Sequence, residues 1–148
     1  MKVRDIMSHP VVSVHPETAV ADAASLLVER GFSSLPVEDA ARGLVGIVGE
    51  ADLVRGRIPA QDGSPARHAQ RVGDVMTPAP VTTTPGADVA EVVGTMLDRR
   101  LRAVPVVEGG ALVGLLARRD VLRCVAQGEL TSAEVWRHRF GLVDHDRG

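Results

Sequence analysis

An internal repeat constrains the fold of this chain more than any other feature of its sequence. Residues 5–8 (Asp-Ile-Met-Ser) recur as residues 74–77 (Asp-Val-Met-Thr), at an offset of 69 residues. After a loop that is one residue shorter, the offset becomes 68, and residues 44–48 match residues 112–116. Because chance does not hold such a register along a whole segment, we interpret the chain as a tandem duplication.

The two copies have the same order of predicted elements. Each begins with an extended segment that ends at a proline, at residues 11–14 and 81–84, and continues into a helix. In the second copy, Asp88 and Glu91 have the spacing of a capping box at the start of that helix. The helix is predicted from apolar residues at positions i, i+3, i+4, i+7 and i+8: Val20, Ala23, Ala24, Leu27 and Val28, then Val89, Val92, Val93, Met96 and Leu97.

Two short strands and a final helix complete each copy. The strands are predicted around residues 35–37 and 44–48, and residues 108–110 (Glu-Gly-Gly) are a strong hairpin signal in the second copy. The last helix begins near Glu50 or Arg118. Each copy therefore has the order β-α-β-β-α and is close to the size at which a solitary core is marginal. We expect the two copies to pack sheet against sheet and to share one core.

The repeat divides the chain into four segments. They are repeat 1 at 1–56, a polar linker at 57–71, repeat 2 at 72–127, and a C-terminal helix and tail at 128–148. Residues 131–134 (Thr-Ser-Ala-Glu) form a capping box, and Leu130 can pack on Val135 as a hydrophobic staple. Trp136 and Phe140 lie one turn apart on this predicted helix. They either dock on their own domain or contact a second copy or another partner.

Composition excludes several classes of protein. The 148 residues are 45% hydrophobic but contain only three aromatic side chains, so the core must be aliphatic. No apolar run approaches the roughly 20 residues that span a bilayer, and the first residues lack the apolar stretch of a signal peptide. We therefore expect a cytoplasmic protein. The single Cys124 excludes an internal disulfide and a cysteine-based zinc site. The 17 basic residues are balanced by 19 acidic ones, which argues against nucleic acid as a partner.

No catalytic or metal-binding pattern is present in the sequence. The five histidines show no i, i+4 pairing, and no P-loop, Gly-x-Ser-x-Gly or Gly-x-Gly-x-x-Gly sequence occurs. We therefore predict that the chain has no catalytic residues and no metal site, and that it is not an enzyme.

The repeated motifs resemble the CBS domain, a family named for cystathionine β-synthase. Asp-Ile-Met-Ser/Thr, Leu-Pro-Val and Gly-Ile-Val-x-x-x-Asp-Leu occur in the order typical of this family, over about residues 3–54 and again over about 72–125. The resemblance implies an α/β (α+β) fold of two β-α-β-β-α repeats packed with pseudo-two-fold symmetry, with two clefts between them. To this we add the short C-terminal helix.

The resemblance also implies a function. CBS pairs are regulatory modules that bind adenosine-containing ligands: AMP, ADP, ATP, S-adenosylmethionine, sometimes NAD. They need no cofactor and often form homodimers. In the family pattern Gly-apolar-apolar-Ser/Thr-x-x-Asp, the Asp accepts hydrogen bonds from both ribose hydroxyls. Asp52 and Asp120 match this Asp, whereas Gly49 and Ala117 replace the hydroxyl residue. Alternatively, each Asp is an ordinary cap of its helix.

The second copy is the better candidate for a nucleotide site. Arg118 supplies positive charge for a phosphate, whereas Glu50 occupies the same place in the first copy; the alternative for Arg118 is a solvated surface arginine. Base-contacting positions map to the start of the second strand and to the first extended segment. The predicted contact residues are Asp120, Arg118, Ala103, Pro105, Thr82, Asp52, Ser34 and Pro36.

A second function stays open at this point. The missing hydroxyl in both copies and the aromatic C-terminal helix motivate the hypothesis of a ligand-independent dimerisation or adaptor module. Such a module would act through a homodimer or through an unidentified protein partner.

Overall fold

Helices and short antiparallel strands alternate along the chain in the computed structural model, which describes residues 1–56 and 71–128. The elements there are α1 (Val3–Ile6), α2 (Val20–Arg30), β1 (Ser34–Asp39), β2 (Gly43–Gly49), α3 (Glu50–Arg55), α4 (Val72–Val75), β3 (Thr77–Pro78), α5 (Val89–Arg99), β4 (Ala103–Glu108), β5 (Ala111–Ala117) and α6 (Arg118–Ala126). The mixed α+β class is confirmed. The predicted C-terminal helix, and the predicted linker apart from Arg71, lie outside the described residues.

Val12–Pro80 form one compact unit, which we call the central unit. Its sheet has the order β1-β2-β3, with β1 antiparallel to β2 and with Thr77–Pro78 paired to β2. Val20, Ala23 and Leu27 of α2 are buried as the spacing predicts, whereas Val28, which the spacing places on the same face, is exposed. The core of this unit consists of Val14, Val20, Ala23, Leu27, Leu35, Val37, Val48, Leu53 and Val72.

Met1–Val11 and Val81–Gly148 form the other unit, which we call the composite unit because it joins two separate stretches of chain. The backbone N–H of Val3 donates to the carbonyl oxygen of Ala87 at 2.9 Å, and Ser8 exchanges two backbone hydrogen bonds with Leu115. Helix α1 is therefore fixed to the second repeat. The core of this unit consists of Val3, Val89, Val92, Val93, Met96, Val104, Val106, Leu116 and Cys124.

The expectation of one core shared by both repeats is wrong. The buried hydrophobic residues fall into two clusters, one in each unit. Each core also includes a valine from a four-residue helix. This valine is Val3 of α1 in the composite unit and Val72 of α4 in the central unit. Both side chains are 0% exposed. The core of each repeat thus includes a buried side chain from the short helix at the start of the other repeat, which enlarges a core that would be small by itself.

The predicted first strand of each repeat is reduced to a single parallel bridge. Val14 bridges Val37 in the central unit, and Thr83 bridges Val106 in the composite unit. The chain is extended there, as predicted, and a proline follows two residues after the bridge in each copy, at Pro16 and Pro85.

The hairpin turns follow the predicted chemistry. Gly109 and Gly110 have φ angles of +57° and +80°, as a two-residue type I′ turn requires, which confirms the predicted hairpin. In the other hairpin, the Asp39 carboxylate accepts the N–H groups of Ala41 and Arg42 at 2.8 and 3.2 Å. The hydrogen bond from Ala41, supported by Arg42, lowers the pKa of Asp39 below its ordinary value.

Helix α5 begins at the predicted cap. The Asp88 side chain accepts the N–H of Ala90 at 2.9 Å and so satisfies one of the free donors of the first turn. Among the helices of residues 1–56 and 71–128, none has both the length and the apolar composition needed to cross a membrane.

Candidate functional site

Asp120 is a buried carboxylate at the start of α6, with only 5% of its surface exposed. Its Oδ2 accepts the backbone N–H of Ala117 at 2.8 Å, and its Oδ1 accepts the Ser8 hydroxyl at 3.2 Å. The Arg123 guanidinium lies 3.6 Å from the same Oδ1. Asp120 therefore caps its helix and is held in one orientation. A carboxylate has about four lone-pair sites, so these contacts leave Asp120 further capacity to accept hydrogen bonds.

Asp52 has the same backbone role in the central unit but different side-chain partners. Its Oδ2 accepts the N–H of Gly49 at 2.9 Å, and its Oδ1 accepts a hydrogen bond from Arg55 at 2.8 Å. The Asp52 side chain is 17% exposed and that of Arg55 is 68% exposed. Both carboxylates thus have an arginine three residues later, but Arg55 hydrogen-bonds to Asp52 at 2.8 Å, whereas Arg123 is 3.6 Å from Asp120, whose Oδ1 accepts the Ser8 hydroxyl instead.

Ser8 is a site residue that sequence reasoning missed. The sequence shows no hydroxyl three residues before Asp120, but the structure supplies one from the other end of the unit. Met7 and Ser8 are brought there by the paired backbone of Ser8 and Leu115. The signal was present in the repeat itself, because Ser8 and Thr77 occupy equivalent positions and both carry a hydroxyl.

Hydrogen bonds along β4 connect Ala103 and the backbone of Arg118 to the start of α6. Ala103 pairs with Ala117, the residue whose N–H reaches Asp120, and the N–H of Arg118 donates to the carbonyl oxygen of Arg102 at 2.9 Å. Two residues further along β4, the carbonyl oxygen of Pro105 accepts the backbone N–H of Thr83 at 3.0 Å. Thr83 is the chain neighbour of the predicted contact residue Thr82.

The equivalent residues of the first repeat lie together in the central unit. Ser34, which is 6% exposed, pairs with Gly49 beside Asp52, and the Pro36 carbonyl accepts the N–H of Val14 at 3.0 Å. Proline has no N–H to donate, so its place on this side of β1 leaves no backbone donor unpaired.

The two helix starts carry opposite charge. Arg118 and Arg119 are exposed at the start of α6, whereas Glu50 is exposed at the start of α3. Because free N–H groups at a helix start already favour anions, the two arginines make the composite unit the more attractive to a phosphate.

Arg118 also lines a groove of about 450 Å³ on the composite unit. The groove is formed by α5 and α6 and is mostly apolar. Its lining residues are Val93, Met96, Leu97, Arg118, Arg119, Val121, Leu122 and Val125. The other predicted contact residues of the second repeat do not line it.

Within the part of the chain that the structure describes, no three His, Cys, Asp or Glu side chains are grouped closely enough to hold a metal ion. Each unit has one capping carboxylate with its backbone partner, and the charge at the start of the capped helix differs between the two units.

Comparison with known proteins identifies relatives of this arrangement. The chain is 32% identical over 138 residues to the chloroplastic CBS domain-containing protein CBSX2 of Arabidopsis thaliana, covering 77% of this chain and 58% of that protein. It is 36% identical over 134 residues to an inosine-5'-monophosphate dehydrogenase of Korarchaeum cryptofilum, covering 90% of this chain and 26% of the dehydrogenase. The chain thus spans less than two thirds of either relative.

Two solved structures are similar over most of their length. CBSX2 in complex with AMP has a TM-score of 0.74 and 32% identity, covering 85% of this chain and 97% of that structure. The CBS domain pair of protein MJ0100, in complex with 5'-methylthioadenosine and S-adenosyl-L-methionine, has a TM-score of 0.76 and 25% identity, covering 86% and 98%. The CBS domain family model matches the chain twice, at residues 3–58 and 72–127. The chain is therefore a tandem pair of CBS domains and belongs to the CBS domain family.

Proposed function

We propose that this chain is a non-catalytic regulatory module that binds an adenosine-containing nucleotide, with Asp120 as the ribose acceptor. Similar CBS pairs hold AMP, or 5'-methylthioadenosine and S-adenosyl-L-methionine. The observation that carries the proposal is the geometry of Asp120, a carboxylate held in place by Ala117 and Ser8 with acceptor capacity to spare. Charge-assisted hydrogen bonds from such a group contribute about 1.5–3 kcal/mol each.

The composite unit is the proposed site because of its charge. Arg118 stands at the start of α6, where the central unit has Glu50. In addition, Arg55 donates a hydrogen bond to Asp52 at 2.8 Å, which a ribose hydroxyl would have to displace, whereas the equivalent Arg123 lies 3.6 Å from Asp120, outside hydrogen-bond distance. A ligand acts as a regulator only if it binds one conformation of the protein more tightly than another.

Calorimetric titration with AMP, ADP, ATP, S-adenosylmethionine and NAD tests the proposal. Asp120→Asn keeps an oxygen for the Ala117 N–H but removes the charge, and we expect it to raise the dissociation constant at least about tenfold. Asp52→Asn is the matched control and should leave that constant within about twofold. A thermal-shift measurement at 100 times the dissociation constant should show about 2.7 kcal/mol of added stability.

Exchanging the two charges provides an independent check. Arg118→Glu gives the composite unit the charge of the central unit, and Glu50→Arg does the reverse. We expect the first variant to lose ATP affinity and the second to retain it. If none of the five ligands binds at millimolar concentration, the proposal is wrong. If Asp52→Asn loses more nucleotide affinity than Asp120→Asn, the site lies in the central unit.

Ligand-independent dimerisation is the second candidate, and one observation favours it. Val28 of α2 and Val54 of α3 are 83% and 61% exposed in the central unit, an apolar surface that a second copy would cover. We propose a homodimer through this surface. Sedimentation velocity should give a dimer for the wild type and a monomer for Val28→Asp with Val54→Asp, with or without AMP. A wild-type monomer at all concentrations would exclude it.

We further propose that the module works in the cytoplasm. The chain has a single cysteine, the buried Cys124, and cannot form an internal disulfide, so the fold does not depend on an oxidising compartment. Fractionation of cells that express the untagged protein would test the assignment.

A further inference from the structure

Met7 and Met76 occupy equivalent positions of the two repeats, 69 residues apart. Each follows a four-residue helix and packs against the core of its unit, Met7 in the composite unit and Met76 in the central unit. Both residues are partly exposed, whereas Met96 is 2% exposed within a core and Met1 is 41% exposed. Met7 and Met76 therefore carry thioether groups that are packed and yet accessible to small solutes.

The Met7 sulfur lies in the space that the absent side chain of Gly114 leaves open. It is 2.6 Å from the ideal position of a β-carbon at Gly114, and the Ser8 carbonyl oxygen is 3.2 Å from the same position. That carbonyl accepts the N–H of Leu115 at 3.1 Å, and the Leu115 carbonyl accepts the N–H of Ser8 at 2.9 Å. The thioether is thus packed beside the two hydrogen bonds that hold residues 7–8 on β5.

A thioether is converted to a sulfoxide by a hydroperoxide such as hydrogen peroxide. A sulfur lone pair attacks one oxygen of the peroxide, and a sulfur–oxygen bond forms as the oxygen–oxygen bond breaks. The proton of the transferred oxygen passes to the departing hydroxide, which leaves as water. Sulfur loses two electrons and the peroxide gains them. The apolar side chain becomes larger and polar.

The sulfoxide oxygen does not fit beside β5. The sulfur already fills the space over Gly114, and the added oxygen is a hydrogen-bond acceptor, so it repels the nearby Ser8 carbonyl instead of bonding to it. Because close-packed interiors do not accept an added group without displacement, residues 7–8 must move away from the strand. The hydrogen bonds between Ser8 and Leu115 are lost with that movement.

Residue 8 also holds the buried carboxylate of the composite unit. The Ser8 hydroxyl donates to Oδ1 of Asp120 at 3.2 Å, and Asp120 is 5% exposed. Movement of Ser8 therefore removes one partner of Asp120. In the central unit the corresponding oxygen of Asp52 accepts a hydrogen bond from Arg55, so displacement of Met76 leaves that contact in place.

We propose that Met7 is an oxidation-sensitive site, whose conversion to the sulfoxide by a hydroperoxide detaches residues 7–8 from β5 and separates Ser8 from Asp120. Methionine sulfoxide is reduced enzymatically, so the change is reversible. If Asp120 binds a ribose, as proposed above, oxidation also lowers the affinity for the nucleotide. That consequence alone rests on the proposed function.

Hydrogen exchange after treatment with hydrogen peroxide tests the proposal, with peptide mass mapping to locate the added oxygen. In Met76→Leu, which retains Met7, we expect the Leu115 amide to exchange at least about tenfold faster after treatment, while the amides of β1 do not change. The matched control is Met7→Leu. Leucine is close to methionine in volume and has no sulfur, so the Leu115 amide should exchange at the same rate before and after treatment. Each variant is compared with its own untreated sample, so a difference in basal stability does not enter.

Two further samples make the remaining outcomes decisive. Met7→Leu combined with Met76→Leu retains Met96 and Cys124 and should not respond to peroxide. Methionine sulfoxide reductases A and B together should restore slow exchange of the Leu115 amide in oxidised Met76→Leu. The proposal is wrong if Met7 gains no oxygen, if oxidised Met7 leaves the exchange unchanged, or if the double variant responds as strongly as Met76→Leu. Since these measurements are made without nucleotide, failure to bind AMP leaves their result intact.

Discussion

The side chain of Met7 fills the space that a β-carbon at Gly114 would need. The Met7 sulfur lies 2.6 Å from the ideal position of that carbon, and the Ser8 carbonyl oxygen lies 3.2 Å from it. Met76 stands in the same relation to Gly46, also at 2.6 Å. Gly114 and Gly46 are thus required because residues 7–8 and 76–77, which pair with β5 and β2, leave no room for a side chain there.

Gly114→Ala and Gly46→Ala should both destabilise the protein. The added methyl group meets a methionine side chain and a backbone carbonyl, and overpacking of this kind costs about 1–3 kcal/mol. The control is Gly94→Ala within α5, where nothing lies within 4 Å of the new methyl group. This change should stabilise by about 0.5–1 kcal/mol, because alanine is the better helix former. Urea denaturation measures all three; a neutral Gly114→Ala would contradict the close packing.

Ser8→Ala should weaken the composite unit more than Thr77→Ala weakens the central unit. The Ser8 hydroxyl donates to the buried carboxylate of Asp120, and its loss should cost about 1 kcal/mol at this partly exposed position. Asp52, the counterpart of Asp120, is bound by Arg55 instead, so the Thr77 change should cost less. Thermal denaturation of the two variants gives the comparison, and an equal loss in both would show that the hydroxyl bond contributes nothing specific.

Arg100→Gly should stabilise the protein by about 1 kcal/mol. Arg100 ends α5 with φ +56°, a left-handed conformation that costs a side-chain-bearing residue about 1–2 kcal/mol. Gly31 ends α2 in the same way, with φ +67° and an N–H donated to Leu27. The first repeat thus has the residue that the second lacks. Gly31→Ala is the reciprocal variant and should lower the urea midpoint, while Arg100→Gly should raise it.

Val3→Ala and Val72→Ala should each cost about 2 kcal/mol, but in different units. Both valines are 0% exposed, and full burial of a valine contributes about 1.5–3 kcal/mol. Val3 packs with the core of the composite unit and Val72 with that of the central unit. Hydrogen exchange measures the difference. Val3→Ala should accelerate the exchange of the amides of β4 and β5, and Val72→Ala should accelerate the exchange of the amides of β1 and β2. The opposite pattern would contradict the assignment of the short helices.

Periodicity was sufficient to predict the longer elements. Helices that begin at Val20 and Arg118 are where the apolar spacing and the repeat register place them. Helix α1 was missed because four residues are too few to show a period, and because its partners are about eighty positions away. The same distance hides the Ser8–Asp120 bond, which joins residues 112 positions apart. Repeats indicate which residues are equivalent, but not which copy a short segment packs against.

The split between Met1–Val11 and Val81–Gly148 has a consequence for the order in which the protein is completed during synthesis. Domains generally fold as units while the chain emerges from the ribosome. The parts of Val12–Pro80 are all present once residue 80 has emerged. Helix α1 emerges before the other elements of both units but has no partner until α5 and β5 have been made. Its residues therefore precede the central unit in the chain and yet reach their packed position after that unit is complete.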